Sequence, residues 1–335
     1  MRVAIFGAGS LGTVLGAFIT KGGVPIDLVN RNLPHIEALK NHGARITGTV
    51  DFVQEVSALT PDRMSGKYDI IFLMTKRLSN PDTVDFLKDF LPDDGVIVTL
   101  QNGIPETEIA PIVGEGRVLG CTVGWGASMK EPGVCVLGSS PDSLTFTLGS
   151  LSGKGGNHLE DVKSLLSLVG PVTVGDNFLG ARWSKLLINS SFGGMSAVLG
   201  STFGEVASDF ESRKVLLALI NECIAVCKAA GIKLEPVQGK DITRLFDSSS
   251  PVKKAFALLV IPAVIKKHSH HKSSMLQDLE KGKKTEIDSI NGAVCAMGHK
   301  VGVPTPMNDL VVDTVHQIEN GLLRPCRANL PHFFE

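Results

Sequence analysis

The sequence predicts an α/β fold in which a doubly wound, mainly parallel sheet is followed by an all-helical domain. Three observations support this prediction: the chain has 335 residues, a glycine-rich turn follows an apolar run at its N-terminus, and helical periodicity replaces β-type runs in its second half. A chain of this length usually divides into two domains. We therefore predict a sheet domain over residues 1–175 and a helical domain over residues 176–335.

The first part of the chain has the pattern of a βαβ unit of about 30 residues. Val3–Phe6 is a strand-like run, a helix with one apolar face extends to about Lys21, and Ile26–Val29 is the second apolar run. Later β-type runs alternate at first with helical stretches, which predicts a sheet with helices on both faces. These segments are Ile70–Met74, Asp82–Phe90 (helical), Val96–Leu100, Val118–Cys121 and Leu144–Leu148. From about Leu179 onwards, helical spacing dominates.

The chain is nearly neutral, with 33 Lys and Arg against 34 Asp and Glu and a formal net charge of -1. The molecule has no excess of positive charge that would attract nucleic acid or an anionic membrane surface, so we expect neither as a partner. No secretory signal is visible, and the apolar run Ala255–Ile265 is interrupted by Pro262 and too short to span a membrane. Six scattered cysteines lack metal-binding spacing. We expect a cytoplasmic protein with free thiols and no metal.

The glycine-rich turn Gly7–Gly12 fits the pattern GxGxxG and lies between a strand and a helix, a context more specific than the pattern alone. Gly7 allows a tight turn, Gly9 lets a pyrophosphate approach the backbone, and Gly12 lets helix and strand pack closely. The helix N-terminus offers N–H groups to the anion. We predict a dinucleotide site; the alternative is a βα turn without a ligand. The predicted contacts are Gly7, Ala8, Gly9, Ser10, Leu11 and Gly12.

The residues after the second strand decide which dinucleotide binds. An acidic residue at this position would bind the free ribose hydroxyls of NAD, but here the strand is followed by Asn30 and Arg31. An arginine can hold the additional phosphate of NADP through charge-assisted hydrogen bonds. We predict NADP (NADPH) as the cofactor, with Asn30 and Arg31 as contacts. Two alternatives stay open: Asp27 stands at the strand end instead, or Arg31 is a solvated loop charge.

Several further motifs resemble the ketopantoate reductase (2-dehydropantoate 2-reductase) family, and the likeness spans nearly the whole chain. The motifs are Met74-Thr75-Lys76, Leu100-Gln101-Asn102-Gly103, Trp183-Ser184-Lys185-Leu186-Leu187-Ile188-Asn189, Ser273-Ser274-Met275-Leu276-Gln277-Asp278, and Thr285-Glu286-Ile287-Asp288 continuing through Asn291-Gly292. The resemblance implies a Rossmann-type domain, a helical domain of the 6-phosphogluconate-dehydrogenase-like kind, and an active site in the cleft between them. It also implies NADPH-dependent reduction of 2-dehydropantoate to pantoate, in pantothenate biosynthesis.

The resemblance implies that Lys185 is the general acid. Reduction of a ketone develops negative charge on oxygen, which an ammonium group can stabilise and protonate. Asn189, one helical turn later, and Asn102, at the end of a strand, are implied to bind the substrate, and Asn102 also to contact the cofactor ribose. Lys76 is implied to lie near the ribose or phosphates of the cofactor. Without the resemblance, Lys76 would be a strand-end charge and Asn102 part of a turn.

Ser274 is implied to bind the substrate carboxylate, and Glu286 to contact a substrate hydroxyl or the catalytic lysine close to the cofactor. In one unbroken helix their spacing would place them about 120° apart, so they would not share a face. Gly282 indicates that the helix bends between them. The alternatives are that Ser274 is a helix cap and Glu286 an ordinary surface acid.

The sequence departs from the family pattern at Gly193 and Phe203, where members typically carry asparagine. A pocket built on amide hydrogen bonds cannot exchange them for Gly and Phe without changing which substrate it fits. Another branched or bulkier 2-oxo acid therefore stays open as the substrate, and so does an opine-type reaction that joins an oxo acid to an amine. The pair Gly193-Gly194 also predicts an interrupted helix. The basic run Lys266–Lys272 either draws an anion towards the site or is a solvated turn.

A non-catalytic NADP-binding sensor is the alternative from another functional class; the retained Lys185 and Glu286 argue against it. The oligomeric state stays open. The apolar helix predicted over Val215–Val226 is a candidate interface for a homodimer.

Overall fold

The computed structural model describes residues 1–153, 156–237 and 239–334. The chain divides into two compact units, Met1–Leu179 and Gly180–Glu335. The first unit is built on sheets covered by helices and the second is helical, so the predicted fold class is confirmed. The predicted domain boundary at residues 175 and 176 stays a prediction, because compactness alone does not show where an independently folding domain ends.

The strands described in the first unit form two sheets. The larger sheet has the order β12-β11-β8-β7-β6-β1-β2-β5, and its neighbouring strands are parallel except for the antiparallel pair β8 and β11. In chain order the strands are β1 (Val3–Phe6), β2 (Asp27–Val29), β3 (Ala44–Gly48), β4 (Phe52–Gln54), β5 (Ser57–Leu59), β6 (Ile70–Leu73), β7 (Val96–Thr99), β8 (Val118–Val123), β9 (Ala127–Glu131), β10 (Val134–Leu137), β11 (Phe146–Gly149) and β12 (Val172–Val174).

The central strands are apolar throughout because both faces of the larger sheet are covered. Along β1, Val3 and Ile5 belong to one hydrophobic cluster, whereas Ala4 and Phe6 belong to the other. The residues of β6 alternate between the same two clusters. Continuous apolar runs are typical of parallel strands buried on both faces. Since β1 lies between β6 and β2, it marks the point where the strand order reverses, and ligands of such sheets bind beyond the carboxyl ends of the strands at that point.

In the described part of the first unit, five α-helices cover the two faces. Their bounds are α1 (Ser10–Lys21), α2 (Leu33–His42), α3 (Asn80–Lys88), α4 (Glu106–Val113) and α5 (Leu159–Ser167). Buried residues of α1, α2 and α5 belong to one hydrophobic cluster, and those of α3 and α4 to the other. Helix α1 therefore follows the glycine-rich turn directly and packs against the sheet.

A second sheet, with the order β4-β3-β10-β9, was not predicted from the sequence. Its strands β3 and β10 pair in parallel although they come from distant parts of the chain. Ala44 and Ile46 of β3 join the same hydrophobic cluster as α1, and the residue between them is exposed. Short strands that alternate between core and solvent lack the continuous apolar run by which the central strands were recognised.

The second unit is helical. Its elements are α6 (Phe178–Ile188, which begins at the boundary), a π-helical segment (Asn189–Gly193), α7 (Gly194–Leu199), α8 (Phe203–Ser208), α9 (Phe210–Ala229), α10 (Ile242–Leu245), α11 (Pro251–Ile265), α12 (Ser274–Glu280), α13 (Ile287–Val301) and α14 (Pro306–Glu319), together with 3-10 helices at Lys266–His268 and Arg327–Phe334. In the described part of this unit, the only β-type pairing is the isolated bridge between Val237 and Lys240. No helix in the described part of the chain is both long and apolar enough to cross a membrane.

The helix proposed as a dimer interface is part of the core. Within α9, Val215 is 2% exposed, and Leu216 and Ile220 are fully buried inside the second unit. Packing within one chain therefore explains the apolar periodicity over Val215–Val226, and the homodimer stays a prediction.

Candidate functional site

The glycine-rich turn connects β1 to α1 at the carboxyl edge of the larger sheet. Gly7 has a φ of +96°, and a Cβ there would lie 2.5 Å from the backbone nitrogen of Thr75. A Cβ on Gly12 would lie 3.0 Å from the carbonyl oxygen of Gly7. At Gly9 the nearest atom would be 4.0 Å away, so the space beside Gly9 is open. Gly7 and Gly12 are therefore required by packing, whereas Gly9 leaves room for a ligand.

The N-terminus of α1 fits an anionic group. No side chain in the described part of the chain caps the helix at Gly9, and its first turn contains no acidic residue. The N–H groups of the first turn and the helix dipole are thus left to interact with an anion. The hydroxyl of Ser10 donates to the carbonyl of Ala127 at 3.1 Å. Together with the open space beside Gly9, these features fit the pyrophosphate of a dinucleotide.

The end of β2 carries Asn30 and Arg31, as predicted from the sequence. Asn30 is half-buried, its side chain accepts a hydrogen bond from the N–H of Asn32 at 2.9 Å, and Arg31 is exposed. Asp27 is the first residue of β2, at the opposite edge of the sheet. This carboxylate accepts hydrogen bonds from the hydroxyls of Tyr68 at 2.8 Å and Ser57 at 2.6 Å. The alternative in which Asp27 stands at the strand end is therefore wrong.

Lys76 and Asn102 follow two adjacent strands at the same edge of the sheet. Lys76 is exposed beyond β6, and Asn102 is half-buried beyond β7, immediately before Gly103, whose φ is +76°. Carboxyl ends of adjacent parallel strands lie side by side. The structure therefore places Gly7–Gly12, Asn30, Arg31, Lys76 and Asn102 along one edge of the first unit. Their roles as ligand contacts stay predictions.

A buried amide pair, which the sequence analysis missed, fixes the loops after β6 and β7. Gln101 donates from Nε2 to the carbonyl of Thr75 at 2.8 Å and to Oδ1 of Asn80 at 2.7 Å. Asn80 donates back to Oε1 of Gln101 at 3.0 Å and to Oε2 of Glu108 at 3.1 Å. The partners are far apart in the sequence, so no local pattern indicated them; their effect is to hold the backbone on both sides of Lys76 and Asn102.

In the second unit, Lys185 and Asn189 lie next to an unusual turn. Lys185 is half-buried in the last turn of α6, and Asn189 is the first residue of the π-helical segment. The hydroxyl of Ser191 donates to the carbonyl of Leu187 at 2.7 Å, and Nδ2 of Asn291 donates to the carbonyl of Ser190 at 3.0 Å. Side chains that bind helix carbonyls in this way compete with the regular backbone pattern. π-helical turns of this kind occur frequently at functional sites.

The Gly193-Gly194 pair does not interrupt the helix, contrary to the prediction. The chain stays helical through both residues and passes from π to α geometry at Gly194. A Cβ on Gly194 would lie 3.0 Å from Val311 and 3.1 Å from Oδ1 of Asn291, so close packing explains this glycine. A Cβ on Gly193 would meet only Met275 and Ser273, both at 3.7 Å. A methyl group at Gly193 would therefore be tolerated, so close packing alone does not explain this glycine.

Phe203 packs as an apolar residue. Its ring lies 5.8 Å from the ring of Phe192, centroid to centroid, and Phe192 is fully buried. Phe203 begins α8, and its N–H donates to the carbonyl of His271 at 2.9 Å. Neither Gly193 nor Phe203 therefore offers a side-chain hydrogen bond in this region of the second unit.

Ser274 and Glu286 lie at the starts of two different helices. Helix α12 ends at Glu280, Gly282 has a φ of +64°, and α13 begins at Ile287, so the one-helix geometry is wrong and the predicted break at Gly282 is found. Ser274 is exposed at the first position of α12, whereas the cap is Ser273, whose Oγ accepts from the N–H of Leu276. Glu286 is buried, which excludes the alternative of a surface acid.

The basic run Lys266–Lys272 lies between α11 and α12 and is largely exposed. Lys272 pairs with Glu280 at 2.5 Å, and the rings of His268 and His271 lie 5.2 Å apart. Burial, followed by the neighbouring charges of His271 and Lys267, lowers the pKa of His268. Among residues 1–153, 156–237 and 239–334, no group of three or more His, Cys, Asp or Glu side chains could hold a metal ion.

Comparison with known proteins agrees with this architecture. The family model "Ketopantoate reductase PanE/ApbA" matches residues 3–152, and "Ketopantoate reductase PanE/ApbA C terminal" matches residues 177–319. A 2-dehydropantoate 2-reductase of Pyrococcus horikoshii is 30% identical over 313 residues, covering 93% of this chain and 95% of the relative.

Two solved structures show the same fold over nearly the whole chain. One is a PanE/ApbA family ketopantoate reductase from Ralstonia eutropha JMP134, with a TM-score of 0.81, 25% identity, and coverage of 96% of this chain and 99% of that one. The other is a D-mandelate dehydrogenase in complex with NADH, with a TM-score of 0.79, 25% identity, and coverage of 96% and 100%. The models match in both halves, and on this evidence the chain belongs to the ketopantoate reductase family.

Proposed function

We propose that this protein is an NADPH-dependent reductase of a 2-oxo acid, with 2-dehydropantoate as the leading substrate and pantoate as the product. The observation that carries the proposal is the match of both ketopantoate reductase models to successive parts of one chain. The activity is a step of pantothenate, and hence coenzyme A precursor, biosynthesis. We place it in the cytoplasm, because the six cysteines are all free thiols, as is typical of a reducing compartment.

The geometry of the first unit supports NADP as the cofactor. The open space beside Gly9 and the uncapped start of α1 suit the pyrophosphate. The additional phosphate would be held by Arg31, with Asn30 beside it, because Asp27 is engaged at the far edge of the sheet. Lys76 would contact the ribose or phosphates, and Asn102 the nicotinamide ribose. When bound, NADPH would supply the hydride for C2 of the substrate.

The residues of the second unit would supply proton transfer and orientation. Lys185 would protonate the oxygen that gains negative charge as the ketone is reduced. Asn189, together with Asn102, would orient the polar groups of the substrate. The exposed hydroxyl of Ser274 would bind the substrate carboxylate. Glu286, in its buried position, would accept a hydrogen bond from a substrate hydroxyl or from Lys185, close to the cofactor.

A bulkier or more apolar 2-oxo acid is the second candidate substrate. It is favoured by the lack of a side chain at Gly193 and by the packing of Phe203 on Phe192, since neither position offers the hydrogen bonds of an asparagine. A panel of 2-oxo acids, assayed by NADPH consumption with and without amino acids, separates these substrates and the opine-type reaction. Binding of NADPH without turnover on any member of the panel would favour a sensor.

The central test is replacement of the proposed acid. Lys185→Ala is expected to lower kcat on 2-dehydropantoate by about two to four orders of magnitude, since a positioned acid contributes roughly that much, while NADPH binding stays unchanged. Lys254→Ala, at an exposed lysine of the same unit, is the control and should retain full activity. Wild-type turnover by Lys185→Ala would remove the assigned mechanism.

A further inference from the structure

A buried histidine that the proposed function does not use lies beneath the glycine-rich turn. His35 belongs to the first turn of α2 and is fully buried. Its Nδ1 accepts a hydrogen bond from the N–H of Gly133 at 3.0 Å, and its Nε2 lies 3.0 Å from Oγ1 of Thr13, which is also fully buried. Both ring nitrogens of His35 therefore have partners within the protein.

The partners determine the state of the ring. Because the N–H of Gly133 points at Nδ1, this nitrogen carries no proton, and a neutral ring carries its proton on Nε2. Nε2 then donates to Thr13, whose hydroxyl donates to the carbonyl of Ala8 at 3.3 Å. Burial lowers the pKa of His35, which favours the neutral ring that this arrangement needs. A continuous chain of hydrogen bonds thus leads from Gly133 through His35 and Thr13 to Ala8.

The same histidine is tied to the loop after β2. Its N–H donates to Oδ1 of Asn32 at 3.3 Å, and the N–H of Asn32 donates to the side chain of Asn30 at 2.9 Å. The turn is also joined to β2, because the N–H groups of Gly7 and Ala8 both lie 2.9 Å from the carbonyl of Val29. His35 therefore contacts a residue that holds the glycine-rich turn and a residue of the loop bearing Arg31. These are the two places where phosphate groups of the cofactor would bind.

We propose that His35 is a positioning residue that fixes the glycine-rich turn relative to the loop bearing Arg31, so that the pyrophosphate and the additional phosphate of NADP are held together. The inference rests on the proposed function for the identity of the cofactor. It does not require His35 to touch the cofactor; the imidazole acts through Thr13 and Ala8 on one side and through the first turn of α2 on the other.

Two substitutions test the hydrogen bonds of the two ring nitrogens of His35 separately. The amide of His35→Gln can take the place of Nε2 and donate to Thr13, whereas the side chain of His35→Asn reaches only the position of Nδ1 and keeps the bond to Gly133. Loss of one buried hydrogen bond corresponds to about a tenfold change. We expect His35→Asn to bind NADPH about tenfold more weakly and NADH less affected, His35→Gln to bind both cofactors nearly as wild type does, and kcat at saturating NADPH to be unchanged in both.

Dissociation constants of NADPH and NADH, measured by fluorescence titration well below the melting temperature, provide the readout. A purely structural role would lower the melting temperature without changing the ratio of the two constants. Thr13→Val removes the same bond without changing the size of the residue, so it should behave like His35→Asn and gives a second route should that variant not fold. The matched control is His42→Asn, at an exposed histidine of the same helix.

Unchanged dissociation constants of NADPH and NADH for His35→Asn and Thr13→Val would overturn the proposal. An equal loss of affinity for the two cofactors would overturn it as well, because it would show no effect on the loop bearing Arg31. Arg31→Ala tests the cofactor assignment separately. If Arg31→Ala binds NADPH as wild type does, the assignment of NADP fails, whereas the support of the turn by His35 is still measured by the affinity for NADH.

Discussion

At the scale of single residues, two of the three glycines in one turn are required by the fold itself. Gly7 adopts a φ of +96° against the backbone after β6, and a Cβ on Gly12 would lie 3.0 Å from both Gly7 and Ile5. Gly9 is held by neither condition: its φ of -79° suits any residue, and a Cβ would enter open space. The absence of a side chain at Gly9 therefore matters for what approaches the turn and not for the turn itself.

Gly9→Ala is expected to fold like the wild type and to bind NADPH and NADH about 10- to 100-fold more weakly, because the added methyl group keeps the pyrophosphate from one or two charge-assisted hydrogen bonds. Gly12→Ala is the matched comparison, and its melting temperature should fall because the methyl group meets Gly7 and Ile5 at 3.0 Å. Titration of both variants with each cofactor, together with thermal melts, gives the result. Wild-type affinity in Gly9→Ala would show that no ligand occupies that space.

Sequence reasoning identified the local motifs at this edge of the sheet but missed the buried residues that support them. Gly7–Gly12, Lys76 and Asn102 belong to local motifs and could be predicted. Gln101, Asn80 and His35 could not, because their partners are distant: His35 and Gly133 are separated by 98 positions in the sequence. Only the folded chain shows which buried polar groups satisfy one another.

At the scale of elements, the π-helical segment between α6 and α7 is held by a buried polar network. Asn291 of α13 donates to the carbonyl of Ser190 and, at 3.0 Å, to Oδ1 of Asn308. Asn308 in turn donates to Oε2 of Glu222 at 2.7 Å. Burial raises the pKa of Glu222, while its hydrogen bonds to the start of α14 act in the opposite direction. Helical periodicity predicted the helices of this unit, but the wide turn depends on the distant Asn291.

Replacement of Asn291 by Leu should destabilise the second unit and impair turnover. Two buried carbonyl-type acceptors would lose a donor, and each such loss costs about 1–3 kcal/mol, so the free energy of unfolding in urea should fall by about 2–6 kcal/mol. We expect kcat to fall, because the turn carries Asn189 and follows Lys185, while the NADPH affinity of the folded protein is unchanged. Asn221→Leu, which removes a bond within α9, is the control. An unchanged unfolding free energy would contradict the role of the network.

At the scale of the whole molecule, two buried side chains that are neutral when protonated make the stability depend on pH in the alkaline range. Burial raises the pKa of Cys135 to about 11 and, together with the hydrogen bond to Asp27, that of Tyr68 to about 12. Both side chains are fully buried in the first unit. In the folded protein these groups keep their protons at pH values where the unfolded chain has lost them. The folded state therefore binds more protons than the unfolded state, and stability must fall as the pH rises through this range.

The free energy of unfolding should consequently decrease by up to about 1.4 kcal/mol per pH unit for each group. The decrease falls between about pH 9 and 11 for Cys135 and between about pH 10 and 12 for Tyr68. Urea denaturation at a series of pH values measures this slope. Cys135→Ala should reduce it, whereas Cys326→Ala, at a half-buried thiol, is the comparison. A stability that is constant or rises over this range would contradict the burial of these groups in their neutral form.

The overall architecture followed from the sequence because its signals are strong and local: continuous apolar strands, one glycine-rich turn, and helical spacing after Leu179. The second sheet did not, since its short strands gain their core positions only by pairing across the chain. The same limitation applies to the helix over Val215–Val226, whose apolar character is equally compatible with a core and with an interface.

The pairing of β3 with β10 has a consequence for the order of events during synthesis. Arg45 pairs with Val134, so β3 has no partner on this side until the ribosome has passed the β9–β10 hairpin. Until then β3 presents an open edge, which is the kind of strand that pairs with other chains. Gly133, which donates to His35, arrives with the same hairpin. The glycine-rich turn is thus synthesised before Gly133. His35 receives its hydrogen bond from Gly133, and the proposed cofactor site is complete, only after β3 and β10 have paired.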